Sequence, residues 1–162
     1  MIALQPITEN NFEDVLKLKA SEEFVATNAY SLAEAYCSLK DAVETGEPYL
    51  NVDVPYAIVN DKTVVGFLMV SFENGKDVGS DDNIYWISRI MLDEKYQGKG
   101  YGKAAMALLI DYVKTKPNGN EAKYIYTSHI PNNHIAAKTY AGFGFEKTGQ
   151  MLDGECVMRL IL

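Results

Sequence analysis

A glycine-rich segment most constrains what this 162-residue chain can fold into. Residues 97–103 read QGKGYGK and lie between an apolar, β-rich run at 84–92 and a run with helical periodicity at 102–116. Glycine lets a backbone take positive φ and approach a ligand closely. The N–H groups of such a turn and of the first helical turn bind anions, aided by the helix dipole and by nearby lysines. The segment therefore predicts a strand, turn and helix that hold a nucleotide-like pyrophosphate.

The glycine spacing separates this segment from two common phosphate loops. A Walker A loop requires G-x-x-x-x-G-K-S/T, which is absent, and a Rossmann fingerprint requires G-x-G-x-x-G with an acidic residue after the next strand. Here the spacing is G-x-G-x-G, and the next predicted strand ends in Ser128 and His129. The glycines alone also fit a tight strand-to-helix connection that binds no ligand.

The first third of the chain reads as one strand and two helices. Residues 1–7 are typical of a strand, and Thr8 or Asn10 is the predicted cap of a helix that runs to about residue 19. A second helix at 31–43 begins with the capping-box pattern S-x-x-E at Ser31.

The rest of the chain mixes hairpins and crossovers. Polar turns at 60–62 and at Asp153-Gly154 predict two hairpins, of 56–59 with 63–72 and of 145–152 with 155–162. Between them we predict a loop at 74–83, strands at 84–92 and 123–128, and helices at 102–116 and 133–141. The predicted inner face of the first of these helices consists of Ala105, Leu108, Leu109 and Tyr112. Because hairpins alternate with crossovers, the sheet of this α/β chain cannot be wholly parallel.

Charge and composition narrow the classes of partner. The net charge is −7 and the pI is near 4.8. This argues against nucleic acid or an anionic membrane as the main partner, since both select basic surfaces. It fits a cationic substrate, although solubility alone also favours an acidic surface. No apolar run approaches the roughly 20 residues that cross a bilayer, and residues 1–6 lack a signal-peptide pattern, so we expect a cytoplasmic protein.

The cysteines and histidines predict neither a disulfide nor a metal site. Cys37 and Cys156 have no paired spacing and are expected to be reduced in a cytoplasmic chain. Two histidines and two scattered cysteines give no pattern of metal ligands.

Two motifs resemble those of GNAT acetyltransferases. Residues 97–102 match the family signature Q/R-x-x-G-x-G/A. Further along, the pattern N-x-x-A-x-x-x-Y-x-x-x-G-F matches Asn133, Ala136, Tyr140, Gly144 and Phe145. The two motifs in this order are far more specific than either alone, and the order of predicted elements extends the resemblance over 3–162. Within the family, stretches such as 24–36, 55–58, 65–67 and 85–89 are similar to bacterial diamine and polyamine acetyltransferases.

The resemblance implies a fold and a cofactor. It implies one GNAT domain over residues 1–162, an α/β (α+β) fold with a mixed central sheet of about six to seven strands, flanking helices and a splayed central pair. The implied cofactor is acetyl-CoA, whose pantetheine arm would pair with backbone freed by the splay. The cofactor-binding residues carried over are Ile90, Met91, Leu92, Gln97, Gly98, Lys99, Gly100, Tyr101, Gly102, Lys103, Asn133 and Lys138.

The resemblance also implies direct transfer of the acetyl group, with Tyr140 as general acid. A phenol can donate a proton to the thiolate of coenzyme A as it leaves. Outside this motif, a tyrosine on the inner face of a short helix would be assigned to packing. The chain departs from the family at Glu94, where a proline is common, and at Trp86, where some members carry a carboxylate base. No Asp or Glu lies within 84–92, so no base is carried over.

The attacking amine must be neutral, and with a lysine-like pKa only about one molecule in a few thousand is neutral at pH 7. His129 is one candidate for the proton acceptor because histidine titrates near neutrality, Tyr85 and Glu23 are weaker candidates, and the sequence leaves the identity of the base open. The alternative for His129 is a structural role, held in a loop by a hydrogen bond.

Several residues are predicted contacts for a cationic substrate. The carboxylates of Glu22, Glu23 and Asp53 either contact an ammonium group or are solvated surface charges. Trp86 and Tyr85 either present ring faces to the cation or pack in the core. The full set of substrate-side candidates is Glu22, Glu23, Asp53, Tyr85, Trp86 and His129.

Three functions fit these patterns. The first is an acetyl-CoA-dependent N-acetyltransferase acting on a primary amine of a small molecule, with spermidine and spermine as the leading substrates. The second is acetylation of a protein N-terminus or lysine. The third is a non-catalytic acyl-CoA-binding regulator, against which Tyr140 argues because a pure binder needs no acid at the sulfur. Family habit also suggests a homodimer.

Overall fold

A computed structural model describes residues 1–20, 27–47 and 49–162 of the chain. Within these ranges, strands and helices follow one another in the predicted order. The strands are β1 (Ile2–Pro6), β2 (Val52–Asn60), β3 (Thr63–Glu73), β4 (Ile84–Leu92), β5 (Tyr124–His129), β6 (Glu146–Leu152) and β7 (Glu155–Ile161). The helices are α1 (Phe12–Lys17), α2 (Asn28–Thr45), α3 (Tyr101–Lys114) and α4 (His134–Gly142).

The seven strands of the described residues form one mixed sheet in the order β1-β2-β3-β4-β5-β7-β6. Every neighbouring pair is antiparallel except β4 and β5. These two run parallel because α3 carries the chain back across the sheet between them. The predicted mixed sheet with flanking helices is thus confirmed.

The strand predictions hold well because turn residues mark their ends. β4 occupies the predicted range, and both predicted hairpins form. The second hairpin turns through Asp153 and Gly154, whose φ values of 49° and 85° are those of a tight turn with two left-handed residues. β2 is longer than predicted and begins at Val52.

The predicted caps of the first two helices are wrong. α2 begins three residues before Ser31, and the Thr27 side chain accepts a hydrogen bond from the Tyr30 N–H at 3.1 Å. Ser31 lies inside the helix and is buried. α1 is short and begins after Asn11, whose side chain makes no cap bond within the helix. In both cases several polar residues in a row could serve as cap, and tertiary packing selects among them.

The buried face of α3 is rotated from the predicted one. Ala105 and Leu109 are buried as expected, but Leu108 and Tyr112 are 39% and 40% exposed. Met106, Ile110 and Val113 are buried instead, because the sheet covers the side of the helix on which they lie.

Helices cover both faces of the sheet, and successive strand residues alternate between them. On the α2 face, Ala57, Phe67 and Met69 pack with Val15 of α1 and Ala35 of α2. On the α3 face, a larger cluster includes Ile58, Leu68, Ile87, Met106 and Leu109. The sheet therefore separates two environments, each reached by alternate side chains of the same strands.

The longest described helix, α2, has 18 residues, and neither it nor any other described helix has the apolar length that a bilayer crossing requires.

Candidate functional site

The sheet opens where β4 and β5 diverge. The two strands pair from Ile84 with Tyr124 to Ile87 with Thr127, and among the described residues their pairing ends there. A register shift between β3 and β4 leaves Ser88 as an extra residue at this point, and such bulges bend a strand. β4 continues to Leu92 along β3 only. The β5-facing backbone of residues 88–92 is therefore without a strand partner in the described part, as a splayed central pair requires.

The glycine-rich segment connects β4 to α3, as predicted. Gly98 and Gly100 have φ values of 74° and 78°, a region that favours glycine. A Cβ added to either glycine would meet no described atom within 4 Å, so the backbone is open to approach. Gly100 precedes α3 without a side-chain cap, and the first N–H that bonds a described carbonyl in this helix is that of Ala104. The earlier N–H groups are thus available to an anion.

Side chains of the loop leave this opening clear. Gln97 Nε2 donates a hydrogen bond to the Leu92 carbonyl at 3.2 Å. The side chain of Tyr101 turns inward, where its hydroxyl accepts from Asn60 Nδ2 at 3.3 Å, so only its backbone faces the loop. Lys99 and Lys103 are exposed. Open N–H groups, two left-handed glycines and two exposed lysines fit the pyrophosphate of a nucleotide cofactor.

Asp93 anchors the start of the loop, and the prediction missed it. The side chain is buried, and its carboxylate accepts hydrogen bonds from the N–H groups of Lys19 at 2.9 Å and Lys95 at 3.1 Å. Burial alone would raise the pKa of this carboxyl, but the two hydrogen bonds and the lysine charges outweigh it and hold the pKa below its usual value. A carboxylate between a predicted strand and a glycine turn was the available signal.

At the end of β4, the side chains are packed in the core, and the backbone is the part that is accessible to a ligand. Ile90 and Leu92 pack against the α3-face cluster, and Met91 is buried in the α2-face cluster. The side chains of these three residues, which are predicted to bind the cofactor, are therefore fixed by packing on both faces of the sheet. Their backbone lies at the diverging edge of the strand.

The α4 helix brings Tyr140 to the α3 face. Asn133 caps the helix, with its Oδ1 accepting from the Ala136 N–H at 3.0 Å, and Lys138 is exposed. Tyr140 is 7% exposed and packs near Phe145, with ring centroids 5.8 Å apart. Burial raises the pKa of the Tyr140 phenol, and the charge of Glu155 adds to this, while a hydrogen bond with Thr127 opposes it. The phenol therefore stays protonated and can serve as an acid.

His129 ends β5 beside Tyr140, with ring centroids 6.5 Å apart. Its Nδ1 lies 2.9 Å from the Ile130 carbonyl, which can only accept, so in the neutral ring Nδ1 carries the proton. Nε2 is buried and has no hydrogen-bond partner among the described residues. The neutral ring therefore presents a lone pair on the same face as the Tyr140 phenol.

A row of paired residues crosses the α2 face of the sheet. Register places Asp53 of β2 opposite Ser71 of β3, Ser71 opposite Trp86 of β4, and Trp86 beside Tyr126 of β5. Trp86 is half-buried and stacks on Tyr126, with ring centroids 6.4 Å apart and planes 20° apart. Predicted contacts Asp53 and Trp86 thus share one face, on strands about 10 Å apart.

Acidic groups gather at the β2 end of this row. Glu73 lies two residues beyond Ser71 and accepts a short hydrogen bond from its hydroxyl. Burial raises the pKa of Asp53, and the charge of Glu34 on α2 raises it further. Burial also raises the pKa of Glu73, against the Ser71 hydrogen bond and with the charges of Asp53 and Asp77. These half-buried carboxyl groups repel one another, so a bound cation would relieve them. Glu34 and Glu73 were not predicted as site residues.

Tyr85 does not join this row, since it faces α3. It is buried against Phe72, with ring centroids 5.3 Å apart, and lines a small cavity of about 60 Å³ with Tyr56 and Tyr112. Glu22 and Glu23 lie outside the described residues. Within the described ranges, no group of three His, Cys, Asp or Glu side chains could hold a metal ion.

Comparison with known proteins agrees with this geometry. The profile of the Acetyltransferase (GNAT) family matches residues 14–145. The spermine/spermidine N(1)-acetyltransferase of Bacillus subtilis is 30% identical over 158 residues, which cover 97% of this chain and 96% of that protein.

Solved structures share the fold at low identity. The PaiA N-acetyltransferase of Thermoplasma acidophilum, in complex with coenzyme A, superposes with a TM-score of 0.69 at 13% identity over 100% of this chain and 99% of its own. Arabidopsis thaliana Naa50, bound to a bisubstrate analogue, has a TM-score of 0.67 at 19% identity and 99% coverage of both chains. The matched family profile spans most of the chain and includes the glycine loop, Asn133 and Tyr140. The chain therefore belongs to the GNAT family and is an acetyltransferase that uses acetyl-CoA.

Proposed function

We propose that the protein acetylates a primary amino group of a polyamine such as spermidine or spermine. The observation that carries this proposal is the pair of half-buried carboxyl groups of Asp53 and Glu73 on the α2 face. Burial raises the pKa of both, the charge of the exposed Glu34 raises that of Asp53 further, and the charge of Asp53 raises that of Glu73 further. A substrate with several ammonium groups would neutralise them. The likeness to the B. subtilis spermine/spermidine enzyme supports the same substrate class.

The cofactor contacts proposed from the geometry are mostly backbone contacts. The N–H groups of residues 98–103 would bind the pyrophosphate, with Lys99 and Lys103 adding charge. The freed edge of Ile90, Met91 and Leu92 would pair with the pantetheine amides. The Asn133 side-chain oxygen is engaged in capping α4, so its amide nitrogen is the group left to contact the cofactor. Gln97 would hold the loop through Leu92, and Lys138 would lie at the exposed side of α4.

Tyr140 and His129 would handle protons on the α3 face. When bound, acetyl-CoA supplies the acetyl group as a thioester. Tyr140 would donate its phenolic proton to the departing sulfur. His129 Nε2 would accept, through one water, the proton that the nitrogen loses as it is acylated, and return it to Tyr140. The tautomer set by the Ile130 carbonyl leaves Nε2 free for this role.

On the other face, Asp53 and Glu73 would bind an ammonium group of the substrate away from the reacting nitrogen. Trp86 would present its exposed ring area to the alkyl chain or to a further ammonium group. We place Tyr85 in the core packing of the α3 face. A homodimer and a cytoplasmic location remain predictions.

Release of free thiol tests the proposal. The purified protein is incubated with acetyl-CoA and spermine, spermidine, putrescine, an aminoglycoside, amino acids or a lysine peptide. We expect thiol release with the polyamines at a kcat/KM above that with the other amines. A peptide that outcompetes every free amine would instead favour the protein acetyltransferase alternative. Binding of acetyl-CoA without transfer to any amine, unchanged by Tyr140→Phe, would favour a regulator.

A further inference from the structure

We propose that Glu155 binds the amino group that becomes acetylated, so that a polyamine lies across the strands with its far end at Asp53 and Glu73. This inference rests on the proposed polyamine function. It specifies which residue binds the amino group that reacts, and it fixes the orientation of the bound polyamine. No predicted site residue filled this position.

Glu155 lies beside the opening of the sheet. It is the first residue of β7, and alternation along the strand places it on the α2 face with Val157 and Arg159. The Ser128 hydroxyl donates a short hydrogen bond to Glu155 Oε2. Ser128 directly follows Thr127, the last β5 residue that pairs with β4. The carboxylate is thus held next to the point where the thioester must reach the acceptor.

The carboxylate is available to a cation. Glu155 is half-buried, and no lysine, arginine or histidine of the described residues forms an ion pair with it. One of its two oxygens is oriented by Ser128. Burial is the main cause of the raised pKa of the Tyr140 phenol, and the negative charge of Glu155 raises that pKa further. Glu155 therefore lies within electrostatic reach of the predicted acid, although the two side chains belong to opposite faces of the sheet.

The two acidic ends are separated by a defined length. Asp53 on β2 is in register with Tyr126 on β5, three strand spacings away, and Ser128 lies two residues further along β5, so normal strand geometry places Asp53 and Ser128 about 16 Å apart. Trp86 lies between them on the same face. The amino group at Glu155 first binds as an ammonium ion, which loses one proton to solvent before the neutral nitrogen attacks and then donates a hydrogen bond to the carboxylate. An amine long enough to reach both ends keeps a second, ionic contact at Asp53 and Glu73, whereas a short amine is held only at Glu155. The geometry thus predicts selection by chain length.

Two amine probes and five variants test this arrangement. Binding of spermine to the protein with coenzyme A is measured by calorimetry, and thiol release is measured with spermine and with n-butylamine. We expect Glu155→Gln to raise the spermine Kd on the order of 10-fold and to lower kcat/KM for both amines similarly. Glu155→Asp keeps the charge and should recover most of the binding. Glu146→Gln removes one exposed charge of the same sheet and should change neither measurement.

The outcomes separate this inference from the proposed function. If the wild-type protein acetylates no amine of the panel, the proposed function fails, and the inference fails with it. If the wild type acetylates polyamines but Glu155→Gln binds spermine as the wild type does, Glu155 is not the anchor. If Asp53→Asn lowers kcat/KM for n-butylamine as much as for spermine, the proposed orientation of the bound polyamine is overturned. If Glu155→Gln does not fold, Ser128→Ala, which frees the carboxylate but keeps its charge, should still weaken spermine binding by a smaller factor.

Discussion

The two halves of the site are built in different ways. The proposed cofactor half comes from two continuous stretches, 90–103 and 133–140, and presents mainly backbone N–H and carbonyl groups. The proposed acceptor half consists of single side chains that sheet register brings together, among them Asp53, Glu73, Trp86 and Glu155. A pyrophosphate can be held by local backbone conformation, whereas a flexible cation must be held by charges at set distances. The first half is therefore encoded locally and the second by pairing over long range.

The largest expected effect comes from Tyr140, which lies where the halves meet. Tyr140→Phe should lower kcat by about 10² to 10⁴-fold, because it removes the proton donor to sulfur, and should leave the Kd of acetyl-CoA unchanged. Rapid-mixing kinetics and calorimetry measure the two quantities. Tyr112→Phe, on the exposed side of α3, is the matched control. An equal loss of cofactor binding would contradict the role of an acid.

The raised pKa of Tyr140 also predicts a pH dependence. Burial disfavours the phenolate, so the folded-state pKa lies above the ordinary value of 10.0. The phenol should remain an acid up to that pH, and kcat should not decline from its ionisation below it. A decline in kcat that has its midpoint near neutrality and disappears in Tyr140→Phe would contradict the raised pKa of the Tyr140 phenol.

The cofactor half should fail when its backbone conformation is blocked. Gly100→Val places a branched side chain at a φ of 78° and should weaken acetyl-CoA binding on the order of 100-fold, through loss of one or two charge-assisted hydrogen bonds. Gly119→Val is the control, since Gly119 has a φ of 74° and equally open surroundings. Both variants should lose about 1–2 kcal/mol of unfolding free energy, but only the first should lose the cofactor. Equal losses of acetyl-CoA affinity would refute a special role for the loop.

Asp93 should matter to the stability of the cofactor half. Asp93→Asn replaces a buried carboxylate that accepts two backbone hydrogen bonds and should lower the free energy of unfolding by about 2 kcal/mol at pH 7. Because the folded-state pKa is lowered, this stabilisation is complete above the usual carboxyl pKa and is lost as the pH falls through the folded value. Denaturant curves of the variant and wild type should therefore converge in acid. Asp81→Asn, at an exposed position, should differ little at any pH.

The acceptor half should trade stability for binding. Asp53→Asn should raise the KM for spermine about 5-fold, as expected for one partly exposed ionic contact. It should also raise the Tm at neutral pH, since burial raises the pKa of Asp53 and its charge therefore destabilises the folded state. This gain should fade as the pH falls through the raised pKa, where the wild-type carboxyl is itself neutral. If Asp53→Asn instead lowers the Tm at neutral pH, the ionised Asp53 does not destabilise the folded state. Asp111→Asn, at an exposed position, is the control.

Prediction from the sequence succeeded where the signal was local. The glycine spacing located the loop, and hairpin turns located the strands, so β4 was placed to the residue. Prediction failed where several neighbours could play one role, as with Ser31 and Thr27 at the start of α2. It also missed Asp93, Glu73 and Glu155, because a carboxylate carries no sequence mark of its burial or of the strand beside it.

The sequence by itself determined the family and the position of the glycine-rich loop, and it predicts Tyr140 as the acid, because positive-φ glycines and a tyrosine at fixed helical spacing are properties of short segments. The tertiary structure alone decided which side chains share a face. It placed Trp86 with Asp53, turned Tyr85 to the opposite face, and set Ser128 against Glu155 at the opening of the sheet. The physical reason is that side chains along a strand alternate between the two faces of the sheet. A shift of one residue in register would therefore move core side chains to the face of the site and site side chains to the core.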